Sequence, residues 1–375
     1  MVSIKDAIVS WYIRNIYSSK LEIIDFPGFI CENVGKQKEI KIREITLSEN
    51  LLENLERKLK KFKKELYTIG KKFTFSYSSY SKFPTMLSTT KKEFLNYVYF
   101  LIRYIETISS YGRLSHHIDY DSKVLEIRMR DYIICSKNGL GYIFSGGSIA
   151  GIWAYACENP GIEAIQIKCQ GRGDKECEVI AAPYETLVKM GYKPIRCRKL
   201  EKAELSQDYK IFNEIRETSW ARNSLKSLID AGFFDYKHGQ VTYRGERFFL
   251  CEASFMYILE KELKKIKNGL KILWDCSFDF GKRLAELSGK QEPCKFITDF
   301  FPALGFGDIL ALEKKGKYEI FVNYFPWTQW ADEIDFTMFR GLLSGVISGF
   351  IGRKIELKKI KRDTTAGYFS LYITQ

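Results

Sequence analysis

Apolar positions recur along this chain in a few patterns, and the patterns come round twice in the same order. From Ser48, SENLLENLERKLKKFKKELYTIGKKF carries Leu51, Leu52, Leu55, Leu59, Phe62 and Leu66 at helical spacing behind a serine N-cap. The spacing predicts one long helix with one buried face. A polar, aromatic-dotted stretch, TFSYSSYSKFPTMLSTT, interrupts it. Residues 91 to about 109 then form a second helix whose core, FLNYVYFLIRYIETI, is apolar over most of its circumference, with Arg103 and Glu106 as its few charges, so it belongs at the centre. Upstream, a short amphipathic helix precedes two strand-like runs, LEIIDFPGFICEN and KEIKIREITL; downstream, GRLSHHIDYDSKVLEIRMRDYIIC reads as two strands around a turn at 119 to 122.

Residues 146 to 182, GGSIAGIWAYACENPGIEAIQIKCQGRGDKECEVIAA, read as a small-residue helix, a Pro-Gly turn, and a β-hairpin whose Gly-rich loop has a cysteine at each end. A degraded copy, SGVISGFIGRKIELKKIKRDTTAGYFSLYITQ, occupies the last residues. Between them, SLIDAGFFDYKHGQVTYRGERFFL predicts a hairpin turning at His238 and Gly239, and ASFMYILEKELKKIKNGLKILWDCSFDFGKRLAEL a long helix or helix pair. LERKLKKFKKEL at Leu55 aligns with LEKELKKIKNGL at Leu259, SYGRLSHHIDYDSKVLEIRM with LGFGDILALEKKGKYEIFVN, and IEAIQIK at Ile162 with IELKKIK at Ile355. Three matches in one order imply an internal duplication.

At 375 residues the chain has room for two domains or for one repeated unit with its connections. Residues 184 to 223 turn charged, with one amphipathic helix through Ile211, Phe212 and Ile215, and form the expected connector. The net charge of +13 suits an acidic partner such as RNA, DNA or an anionic surface, but the lysines alternate with Glu on amphipathic helices, the solvated surface common in thermophile proteins. Nine cysteines behind a start that is no secretory signal point to a reducing, cytoplasmic setting. No uncharged apolar run approaches the ~20 residues that cross a bilayer.

The order of hairpin, long helix, second helix, two strands, small-residue helix and closing hairpin resembles the 4-vinyl reductase domain. That family shares its fold with TRAPP vesicle-tethering subunits and with the sensor domains of phenol- and xylene-responsive activators. In the C-terminal copy the likeness runs from about residue 223 to 373 and includes AGFFDYKHGQVTYRGERFF; in the N-terminal copy it is strongest at 144 to 183, on KCQGRGDKEC. The resemblance implies an α/β (α+β) chain of tandem duplicated domains, residues 1–183 and 224–375. Each would be an antiparallel sheet packed with long helices, the two forming an intramolecular pseudo-dimer. It also implies a cavity under the helices, which relatives use for hydrocarbons, phenols, acyl chains or tetrapyrrole precursors. Tyr67, Phe73, Tyr97, Phe100, Tyr104, Trp153 and Tyr155 are then the first pocket's candidates. Trp274, Phe278, Phe300, Phe301, Trp327, Trp330 and Phe339 are the second's, and each of these aromatics has ordinary core packing as its alternative.

Cys169 and Cys177, eight positions apart across a hairpin loop, can converge on one metal. Some phenol-sensing relatives bind a structural zinc here, with an acidic residue three positions before the first cysteine and another cysteine upstream; this chain has Gln166 at the acidic position. Cys157 and Glu163 are the candidates to complete a zinc set, with Cys135 behind them, and reduced thiols or a disulfide are the alternatives. His116, His117 and His238 have no paired-ligand spacing, and no nucleophile elbow, phosphate loop or dinucleotide fingerprint is present. SGGSIAG reads as close helix packing. The expectation is a non-enzymatic sensor or scaffold for a small hydrophobic molecule. The alternatives are a basic module for RNA, DNA, the ribosome or a protein partner, a homodimer included, and an accessory protein or reductase in tetrapyrrole or hydrocarbon metabolism.

Overall fold

The computed structural model describes residues 4–13, 24–34, 40–107, 109, 111–197, 200–203, 218–237, 240–326, 333–363 and 370–375. It is mixed α and β, with every strand pairing antiparallel. The first half runs α1 (Ile4–Tyr12), β1 (Ile24–Phe26), β2 (Phe29–Val34), β3 (Ile40–Ser48), α2 (Glu49–Lys58), α3 (Lys63–Tyr80) and α4 (Lys91–Thr107). It continues with β4 (Arg113–Asp119), β5 (Val124–Arg130), α5 (Cys135–Asn138), a π-helical turn Tyr142–Ser148 leading into α6 (Ile149–Ala156), β6 (Ile162–Lys168), β7 (Cys177–Pro183) and α7 (Tyr184–Lys189). The second half runs α8 (Leu225–Asp230), β8 (Asp235–Lys237), β9 (Gln240–Tyr243), β10 (Glu246–Glu252), α9 (Ser254–Leu263), α10 (Gly269–Ser288) and α11 (Pro293–Phe300). It ends with β11 (Asp308–Lys314), β12 (Lys317–Asn323), α12 (Thr337–Ile351), β13 (Lys359–Asp363) and β14 (Ser370–Thr374).

Strand order repeats between the halves. One four-stranded sheet has the order β4-β5-β7-β6 and the other β11-β12-β14-β13. A six-stranded sheet, β1-β2-β3-β10-β9-β8, takes three strands from each half, with Leu47 opposite Phe249 and Glu44 opposite Glu252 at the seam. Across that seam Phe73 packs on Phe255 and Phe144 on Phe249, so one apolar core runs through both halves.

Three elements differ from the periodicity reading. The long helix predicted from Ser48 breaks at Leu59, where a 3₁₀ turn Lys60–Phe62 redirects the chain. The break lets Leu59 and Leu66 both reach the core while Lys60, Lys61, Lys63 and Lys64 stay exposed. The Ser- and Tyr-rich stretch does not interrupt the next helix until Tyr80, because Phe73, Tyr77 and Tyr80 keep helical spacing and Ser76 and Ser78 are small enough to be buried. The predicted hairpin of the second half also proves to be three strands, since Arg244 and Gly245 make a second turn between β9 and β10.

Glycine sets the closest contacts. A Cβ on Gly147 would sit 2.2 Å from the Tyr67 carbonyl oxygen, and one on Gly151 2.2 Å from that of Lys71, so α3 and the small-residue helix touch backbone to backbone. The second half repeats this at Gly345, 2.1 Å from the Phe278 carbonyl oxygen, and at Gly281, 2.2 Å from that of Leu342. The reading of SGGSIAG as close packing holds. The shared Leu-Glu pair also acquires a role. Glu56 accepts from the backbone N–H of Ile143 (2.9 Å) and Gly141 (3.2 Å), and Glu260 from that of Thr337 (2.9 Å) and Asp335 (3.0 Å). In each half a buried carboxylate thereby satisfies N–H groups at the start of the small-residue helix, where the helix dipole also favours negative charge. Among the described residues no helix is long and apolar enough to cross a membrane.

Candidate functional site

Beneath α4 lies an apolar cavity of about 110 Å³. Its roof is Phe94, Tyr97, Val98 and Leu101 of α4, its floor Leu114, Leu125 and Ile127 of β4 and β5, and its end wall Ile149, Ile152 and Trp153. The alternation of β5, whose Leu125, Ile127 and Met129 turn inward, supplies one side. The nearly all-round apolar character of α4 supplies the other. Phe94 packs against Trp153 at 5.9 Å and Tyr120 at 5.8 Å, which steadies the roof. Among the described residues, no charged side chain lines the space.

Of the aromatics predicted for this pocket, Tyr97, Trp153 and Tyr155 line it. Tyr67 lies elsewhere, its hydroxyl donating to Glu163 at 2.7 Å. Phe73 sits at the seam against Phe255, and Tyr104 donates to Glu32. Phe100 is half-buried on α4 outside the lining. Among the described residues of the second half, aromatic rings occupy the corresponding place. Phe301, Phe306 and Phe339 stack and tilt within 5.3–6.3 Å of one another, and the slit beside Phe301 is only about 10 Å³. Phe300 belongs to the same aromatic cluster through Phe296 and Phe301. Trp274 is half-buried under the Arg340 guanidinium, and Phe278 is the residue whose carbonyl meets Gly345. Trp327 and Trp330, with His238, lie outside the described residues.

The second candidate is a thiol cluster. Cys135, Cys169 and Cys177 are all buried, with their sulfurs within 4.8 Å of one another. Cys135 Sγ and Cys177 Sγ are 3.6 Å apart, and Cys177 Sγ and Cys169 Sγ 3.8 Å. Tetrahedral bonds of about 2.3 Å to zinc require sulfurs about 3.8 Å apart. The donor set therefore fits a thiophilic ion without rearrangement. The hairpin brings Cys169 and Cys177 opposite each other, and Asp174 holds its loop by accepting from the Cys169 N–H at 2.7 Å. Cys135 arrives on α5, held by Ile134, whose φ of 65° is strained for a β-branched residue and whose N–H donates to Glu49 at 3.0 Å. Accepting from the Cys135 and Cys177 thiols pulls Cys169 down to about 3, while the same bond to Cys169 pushes Cys135 well above the usual thiol range.

Unpartnered polar atoms lie beside the cluster. Both carboxamide atoms of Gln166 and the hydroxyl of Ser145 are buried without a hydrogen-bond partner. They converge on Gly141, where a Cβ would lie 2.6 Å from Gln166 Oε1, 2.8 Å from Ser145 Oγ and 2.9 Å from Cys135 Cβ. The φ of 64° and the lack of room for a Cβ together favour glycine at that position.

Cys157 and Glu163, expected beside Cys169 and Cys177, are not in this group. Cys157 caps α6, and burial pushes its thiol up to about 12. Glu163 is committed elsewhere, with Lys71 Nζ at 2.9 Å and the Cys197 N–H at 2.7 Å. The buried Lys71–Glu163–Tyr67 network escaped the sequence reading; its one trace is a glutamate in the otherwise apolar start of β6. His116 is half-buried beside Tyr99, and burial lowers it to about 4, while His117 is exposed on the other side of the strand. The lysines at 58, 60, 61, 63, 64, 264, 265 and 267 are exposed, but acids stand among them: Asp279 lies 3.4 Å from Lys58, and Glu262 joins Lys265 (2.6 Å) and Lys72 (2.7 Å). Comparison with protein-family models, curated proteins and solved structures finds no match to this chain.

Proposed function

We propose that the protein is a non-enzymatic binding protein, a sensor or scaffold, that holds a small apolar or aromatic molecule in its first half, its second half being a copy with a filled core. The observation that carries this reading is the apolar cavity of about 110 Å³ beneath α4. The repeated strand order and the paired Glu56 and Glu260 caps support common descent of the halves. Native mass spectrometry of protein purified from its own cells tests the function. A mass increment of one small molecule per chain, abolished by replacing Ala156 in the cavity wall with Leu, is the expected result. Unliganded protein that also fails to take up benzene or a short alkane would overturn the reading.

The thiol geometry favours a second, compatible reading, a structural zinc ion held by Cys135, Cys169 and Cys177 with Gln166 in reach of the fourth position. Such an ion would staple α5 to the closing hairpin and hold the sheet that floors the cavity. Metal analysis of protein purified without chelator is the check, with one zinc per chain expected and none overturning it.

A further inference from the structure

We infer that Ser148 is the polar anchor of the cavity, and that the ligand is an uncharged molecule of about one ring's size carrying a single hydrogen-bonding oxygen. The inference rests on reading the cavity as a ligand site.

Ser148 lines the cavity, is 7% exposed, and its Oγ has no hydrogen-bond partner. A buried serine on a helix ordinarily donates to the carbonyl one turn back. Ser277, Ser288 and Ser348 do so in this chain, at 2.7, 2.6 and 2.7 Å. Ser148 does not, and the turn that precedes it is π-helical, with Gly146 N–H bonded to the Gly141 carbonyl five residues back. Three other polar groups of the wall are already directed at protein carbonyls: Thr74 donates to Ser148 O at 2.7 Å, Trp153 Nε1 to Lys123 O at 2.8 Å, and Tyr155 to Phe83 O at 3.1 Å, while Tyr111 is hydrogen-bonded with Cys251.

The second half supplies a contrast. Gly147 and Gly345 occupy matching places against their long helices, so Ser148 corresponds to Val346, fully buried in the half whose core is filled. The unpartnered hydroxyl thus accompanies the cavity. Size and charge bound the rest. The volume is somewhat below the about 150 Å³ that accommodates benzene, so a single ring enters with small adjustment of the roof. With no charged residue in the wall, an ion would lose its hydration without a counter-charge.

Phenol and benzene, which differ by one hydroxyl, form the test pair, with benzoate as the charged control. Each is titrated into the full chain by calorimetry or ligand-observed NMR. Phenol is expected to bind about five-fold tighter than benzene, as one added hydrogen bond allows, and benzoate not to bind. S148V, which installs the residue of the other half, should bring the phenol-to-benzene ratio to one or below. S148A carries the same comparison should the valine prevent folding. Equal binding of phenol and benzene by the wild type, a preference that survives both variants, or tight binding of benzoate overturns the inference and leaves the cavity reading standing. Binding of none of the three overturns both.

Discussion

Glu163 and Glu356 stand at the same place in the two Ile-Glu segments, yet only one is expected to matter for stability. The Glu163 side chain is 1% exposed, pairs with Lys71 Nζ at 2.9 Å, and accepts from Tyr67 at 2.7 Å and the Cys197 N–H at 2.7 Å. Lys71 is fully buried and also donates to the carbonyls of Ile162 (2.6 Å) and Pro160 (3.1 Å). Glu163→Gln keeps the shape and part of the hydrogen bonding but leaves the ammonium without its counter-charge, which costs about 3–5 kcal/mol. Glu356 is 28% exposed between Lys354 and Lys358, and Glu356→Gln should cost less than about 1 kcal/mol. Adding Lys71→Met to Glu163→Gln should recover part of the loss, since no buried ion remains. Urea unfolding of the four proteins at pH 7, followed by circular dichroism and read at unchanged m, measures each difference. A loss for Glu163→Gln within 1 kcal/mol of that for Glu356→Gln would refute the reasoning.

The close helix contacts predict that Gly147→Ala and Gly345→Ala each destabilise by about 1–3 kcal/mol or more, because the new methyl meets a carbonyl oxygen at 2.2 or 2.1 Å; unfolding curves of the two variants decide it. Burial pushes Glu32 up to about 7 from its ordinary 4.5. The unfolded chain therefore releases this proton first as pH rises, so the contribution to stability falls between about 4.5 and 7, and Glu32→Gln should flatten that slope in a pH series of unfolding midpoints. In the metal reading, Cys135→Ser should lower zinc content well below one per chain while Cys157→Ser retains it, as elemental analysis of the two variants will show.

Local pattern carried the sequence reading a long way. The spacing of Leu51, Leu55 and Leu59, the alternation in β5 and the Gly-rich loop between Cys169 and Cys177 each depend on neighbours within a few residues, and the corresponding elements are present. The break at Leu59 and the run of α3 to Tyr80 were not legible, since the choice between turning and continuing rests on what the far side of the helix packs against. Cys135 was passed over for Cys157 because nothing in sequence distance indicates that α5 folds against the hairpin loop. Ser148 and Lys71 gave even less sign. A serine in a closely packed small-residue helix shows no missing partner in sequence, and a lysine on a helix looks like surface until the backbones close around it.

By itself the sequence determined the secondary elements, their repeated order and the glycine faces, because those follow from periodicity and side-chain size. Only the tertiary structure decided that the first half keeps a cavity where the described residues of the second bring aromatic rings together, that Cys135 joins the thiol group, and that one Ile-Glu glutamate is buried on a lysine while its counterpart meets water. Each of those outcomes sums contacts between residues tens of positions apart, and a single ring more or less in the core, such as the Phe301, Phe306 and Phe339 cluster, is enough to close a cavity that the same pattern elsewhere leaves open.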